Sequence, residues 1–130
     1  MPAGTVRYAY DGNVMYNEFT TPEQQEFLDT FGEWPVVIEG NVHQVTLYDE
    51  KRETLVLSFD PLGQSIRIRW TDSDGRELLD VFREGATHLR ITNAPGSAGL
   101  VAQFKLEEQI GEMHIQVFPG ISIRDQMLFA

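Results

Sequence analysis

The chain contains no cysteine. That one absence excludes disulfides, thiolate metal sites and thiol nucleophiles together, and it fits a protein kept in a reducing, cytoplasmic compartment. Positive charge is also scarce, with 10 Lys and Arg against 20 Asp and Glu, for a formal charge of −10. A field of that sign repels nucleic acid and anionic membranes and attracts basic surfaces, so direct nucleic-acid binding is disfavoured. The opening residues Met1-Pro2-Ala3-Gly4-Thr5 lack the charged and apolar regions of a signal peptide. No run approaches the ~18 apolar residues of a membrane span. Neither export by a signal peptide nor membrane insertion is therefore expected.

Signatures of chemistry are equally sparse. Ser58, Ser65, Ser73, Ser97 and Ser122 sit in no Gly-x-Ser-x-Gly elbow. Ala94-Pro95-Gly96-Ser97-Ala98-Gly99 lacks the Lys and the following helix of a phosphate loop. His43, His88 and His114 fall on three different predicted strands, with no second ligand at metal-motif spacing. Asp72-x-Asp74-Gly75 begins like a calcium loop but places Gly at the fourth position instead of the sixth, so a turn in which Asp binds nearby backbone is expected. Twenty acids offer many pairs for glycoside chemistry, yet no pair stands in an apolar setting that would raise its pKa. No catalytic residue, cofactor or metal site is assigned.

What the chain does contain is a strand rhythm. At 130 residues it suits one domain with one core. Val6, Tyr8 and Tyr10 alternate, Asp11-Gly12-Asn13 turns the chain, and an extended pattern resumes to Phe19, which predicts a hairpin. Val36-Val37-Ile38, Gly40-Asn41 and His43 to Tyr48 predict another. Leu55, Leu57 and Phe59 alternate up to Pro61-Leu62-Gly63, and Ile66, Ile68 and Trp70 then alternate against Arg67, Arg69 and Thr71. Glu77 to Glu84 suits helix or strand, and the preceding Asp-Gly turn favours a strand. Thr87 to Thr92 is extended, Asn93 to Gly99 is the stretch richest in breakers and is expected to be a mobile loop, and Glu107 to Gly111 turns between two further alternating runs. Ile121 and Ile123 precede an apolar tail, Met127-Leu128-Phe129.

One helix interrupts the strands. Thr21 before Pro22, with Gln24 three residues on, predicts an N-cap, a proline at the first helical position and a capping-box partner. Phe27, Leu28 and Phe31 would form an inward stripe, and Gly32 would end a helix of about three turns near residues 22–31. The predicted fold is mainly β, all-β or α+β. It is a curved antiparallel sheet, sandwich or barrel with this one covering helix.

Charge is not spread evenly. Residues 1–40 carry seven acids and only Arg7, and no Lys or Arg occurs from residue 8 to residue 50. On the helix, Glu23, Glu26, Asp29 and Glu33 fall within about 120° of arc opposite the apolar stripe, without basic partners at i,i+4. Arg67, Arg69, Arg76 and Arg83, by contrast, have Asp72, Asp74, Glu77, Asp80 and Glu84 close enough to neutralise them. The four helix carboxylates are accordingly the candidate partner-binding residues.

The reading that best accounts for these features is a non-catalytic acidic binding or inhibitory protein that occludes a basic protein partner. An immunity protein neutralising a basic bacterial toxin is of that kind. The alternative is a small-molecule-binding β-barrel or an enzyme whose site is assembled from scattered residues, which would require an internal apolar pocket with converging polar groups. A secretion chaperone fits less well, because it would need longer helices.

Overall fold

A computed structural model describes residues 19–129. The hairpin expected from Val6 lies outside them except for its last residue, Phe19. The described chain forms one helix, α1 (Gln24–Phe31), and nine strands, β1 (Val36–Glu39), β2 (Val42–Tyr48), β3 (Thr54–Asp60), β4 (Ser65–Thr71), β5 (Glu77–Glu84), β6 (Ala86–Ala94), β7 (Ser97–Leu106), β8 (Gln109–Phe118) and β9 (Ser122–Phe129). Each strand pairs antiparallel with its neighbour in the chain, giving a five-stranded meander β1 to β5 and a four-stranded meander β6 to β9. The mainly β prediction holds, in its two-sheet form.

Period-two patterning explains the packing of both sheets. Leu55, Leu57 and Phe59 on β3 are buried, and so are Ile66 and Ile68 on β4, whereas Arg67 and Arg69 between them are exposed. From the second sheet Leu89, Leu100, Ala102, Phe104, Met113, Ile115 and Val117 enter the same buried cluster. Each such large aliphatic or aromatic side chain contributes about 1.5–3 kcal/mol on burial. The ambiguous segment 77–84 is a strand: Leu79, Val81 and Arg83 are half-buried while Leu78, Asp80 and Phe82 are exposed, an alternation that a helix would not produce.

The switch between sheets takes a single residue. Gly85 separates β5 from β6 and has φ +86°. Its N–H and that of Ala86 both donate to the Gln64 carbonyl, at 2.9 and 3.0 Å, and its own carbonyl accepts from Lys105 N–H at 2.8 Å. A Cβ there would stand 2.7 Å from Leu106 Cγ and 2.9 Å from the Lys105 carbonyl oxygen. Only glycine satisfies both the dihedral and the space.

Five expectations need correction. The helix starts at Gln24 with Glu23 as N-cap, so Thr21 is not the cap and Pro22 is not helical. The reason is tertiary: Thr20 N–H donates to the Thr87 carbonyl and Leu89 N–H to the Thr20 carbonyl, at 2.9 and 2.8 Å, which holds the approach to the helix extended along β6. The helix has eight residues, nearer two turns than three. Asn93 to Gly99 is not a loop, since Asn93 pairs with Ala98 and Ala94 with Ser97. Only Pro95 and Gly96 remain in the turn, with Gly96 at φ +80°, the pairing of proline and glycine suited to a tight turn. Finally, β8 starts at Gln109 and takes in Gly111, and Met127-Leu128-Phe129 is no tail, because β9 pairs with β8 from Gln116↔Ser122 to Gln109↔Phe129.

Candidate protein-binding surface

Helix α1 packs against the buried cluster that the two sheets share. Phe27 is fully buried, and its ring stacks on Phe59 of β3 with centroids 5.8 Å apart and planes 13° apart. Thr30 Oγ1 accepts from Asn93 Nδ2 of β6 at 3.4 Å, so the helix touches both sheets. Leu28, expected to face inward, is 40% exposed, because only Phe27 and Phe31 point at the cluster.

The four candidate carboxylates are placed differently from one another. Glu23 caps the helix, and its N–H donates to Glu26 Oε1 at 2.9 Å, so Glu26 closes the first turn. Asp29 Oδ1 accepts from Gln25 Nε2 at 2.8 Å. Glu33 lies past Gly32, whose left-handed conformation and 2.9 Å bond to the Leu28 carbonyl end the helix, and it is half-buried. The expected single helical arc is thus broken at Glu33. Glu23, Glu26 and Asp29 are exposed, and among the described residues no ion pair involves any of the four.

The four arginines of the predicted basic strip are all paired with acids. Arg67 binds Asp80 at two points, 2.9 and 2.7 Å, which raises the guanidinium pKa and holds the Asp80 carboxyl below its ordinary value. Arg69 faces Glu77 at 3.9 Å. Asp72 Oδ1 accepts from Asp74 and Arg76 N–H, which with Arg76 Nε lowers its pKa and makes the Asp-rich turn the backbone-binding turn anticipated. Cross-strand neutralisation is observed for Arg67 and Arg69, whereas Arg76 pairs across its own turn and Arg83 finds its acid on β9.

The histidines do not converge. His43 stacks on Phe59 at 5.3 Å in the first sheet. In the second, His88 Nδ1 lies beside its neighbour Thr87 Oγ1 and His114 bonds Glu112 at 2.8 Å. Glu112 is held below its ordinary pKa, first by Gln103 and then by His114. Among the described residues no three His, Asp or Glu gather as metal ligands, and no helix is long and apolar enough to cross a membrane.

Sequence reading missed the apolar edge beside the helix. Trp34, Val36, Val37 and Ile38 are 47, 53, 57 and 49% exposed, while Pro35 between them is buried. Among the described residues β1 is the outermost strand of its sheet and pairs only with β2, through Val36↔Gln44, Val37↔His43 and Glu39↔Val42, with a bulge between Val37 and Glu39. The row Val37, His43, Phe59 belongs to the sheet face that α1 covers, and the row Val36, Gln44, Ser58 to the opposite face. A continuous β-branched run ordinarily signals a buried strand, so nothing in the run itself foretold exposure.

No protein-family model and no curated protein matches the chain. The fold does match that of a chain in a solved structure described as a contact-dependent growth inhibition toxin - immunity protein complex from Klebsiella pneumoniae 342. The match covers 88% of this chain and 100% of that one, with a TM-score of 0.74 and 22% sequence identity.

Proposed function

We propose that this chain is the immunity protein of a bacterial toxin pair: a non-catalytic, acidic, cytoplasmic protein that binds a basic toxin domain and occludes it. The observation that carries this reading is the likeness of fold, over the whole of the matched chain, to a member of a toxin and immunity protein complex. Charge favours the immunity role over the toxin role. The molecule carries −10, Arg67, Arg69, Arg76 and Arg83 are paired, and the carboxylates of α1 are not. Such a surface speeds association with a basic partner and discourages nucleic acid.

The test is co-expression in a bacterial host with the toxin domain of the pair. Growth should stop with the toxin alone and resume when this chain is present, and the two should co-elute as a stoichiometric complex. Growth arrest by this chain itself, or failure to protect and to co-elute, would overturn the reading.

A further inference from the structure

We infer that the outer edge of β1, which no other described residue pairs with, is a strand-addition site, taking an extended basic segment of the partner as a further antiparallel or parallel strand. The inference rests on the immunity reading only for the partner's identity; the edge itself is a property of this chain. An outer strand presents a row of backbone N–H and C=O groups that another chain can pair with, and natural proteins usually blunt such edges with lysine, proline or short length. β1 is short, bulged between Val37 and Glu39 and preceded by Pro35, but it carries no lysine, and Val36, Val37 and Ile38 are all about half exposed. An added strand would meet Val36 on one face of the sheet and Val37 on the face shared with α1, the alternate-residue contacts that give strand addition its specificity.

Charge selects the occupant. Glu33 and Glu39 flank β1 in the chain, Glu23, Glu26 and Asp29 lie on the adjoining helix, and residues 19–50 hold no Lys or Arg. A second copy would bring −10 against −10. Residues 1–18 hold Asp11 and Glu18 against Arg7 and gain nothing from this field. A segment with lysine or arginine alternating with apolar residues satisfies both the field and the apolar edge.

Amide hydrogen exchange on the full-length chain tests this, with a short synthetic peptide of alternating lysine and valine as the probe. Those β1 amides that do not bond to β2 should exchange freely in the protein alone. They should slow by about tenfold or more with the peptide. Protection should weaken at high salt, fail with the matching glutamate and valine peptide, and vanish in the Val36→Lys/Val37→Lys variant, whose melting curve checks that it folds. Protection already present without peptide and independent of concentration would assign the edge to residues 1–18. Protection rising with protein concentration would assign it to a second copy, and no protection with the basic peptide would leave the edge without such a ligand. Each of these results overturns the inference. None of them touches the co-expression assay, so a protein that protects cells but fails here would still be an immunity protein, one that binds its toxin elsewhere.

Discussion

Arg83 of β5 and Asp125 of β9 form a two-point ion pair across the two sheets, Nη1 to Oδ1 at 2.8 Å and Nη2 to Oδ2 at 2.6 Å. The two residues stand 42 positions apart in the chain. The guanidinium carbon also lies 5.1 Å from the centre of the Phe104 ring on β7. One side chain thus joins an edge strand of the first sheet to a central strand and an edge strand of the second.

Arg83→Leu should therefore destabilise the fold by about 1–2 kcal/mol, from loss of the pair and of the cation and ring contact. Hydrogen bonding from Arg83 is the main reason that the Asp125 carboxyl is held below its ordinary pKa, with the Arg83 charge adding to it. A depressed carboxylate stabilises the fold above its unfolded-state value, ~3.9, and that stability is lost as pH falls through the depressed folded value. Melting curves of wild type and Asp125→Asn at several pH values should differ most near neutrality and converge in acid. A difference independent of pH would disprove the linkage.

Asp49 is the one polar side chain buried among the described residues. Its Oδ1 accepts from Lys51 and Glu53 N–H, both at 2.8 Å, and its Oδ2 from Ile121 N–H at 3.0 Å. It therefore ties the β2–β3 turn to the approach to β9. Asp49→Ala leaves these donors unmatched and should cost about 2–3 kcal/mol, with Asp49→Asn costing less because one acceptor oxygen survives. Equal losses for the two variants in chemical denaturation would show that packing rather than hydrogen bonding matters there.

Phe27 and Leu28 are neighbours in α1 with opposite fates. Phe27→Ala empties a fully buried position stacked on Phe59 and should cost about 3–5 kcal/mol. Leu28→Gln changes an exposed side chain and should shift stability by no more than about 0.5 kcal/mol. Urea unfolding of both variants checks the contrast, and a large loss for Leu28→Gln would place an inward role on that residue.

Reversal of Glu23, Asp29 and Glu33 to Lys should slow association with a basic partner severalfold and flatten its salt dependence, since steering charge acts over ~10 Å at 0.1 M salt. Glu26 is retained because it accepts the Glu23 N–H and closes the first helical turn. Lys at position 23 removes the N-cap carboxylate and opposes the helix dipole, at about 1–2 kcal/mol together. Stopped-flow association at low and high salt, with melting as the folding control, measures the effect. An unchanged rate at low salt would mean that these carboxylates are merely solvated.

Much of this protein is determined locally and was legible without coordinates. Alternation of apolar and polar residues along β3, β4 and β8 sets which faces are buried, because successive strand side chains point to opposite sides. The turns at Gly40-Asn41, Asp72 to Gly75 and Pro61 to Gly63 need little beyond their own residues, and the acidic bias of the first forty positions is a matter of composition. The helix was legible to within two residues of its start. What the tertiary structure alone decided is non-local. Thr20 is drawn along β6, which moves the helix cap to Glu23; Arg83 has several acids near it in sequence yet pairs with Asp125; Asp49 is buried under a turn 72 positions away. The exposure of Val36, Val37 and Ile38 is of the same kind, for a strand's burial depends on whether a neighbour lies beside it, and sequence periodicity reports which way side chains alternate but not which strand ends at the edge of a sheet.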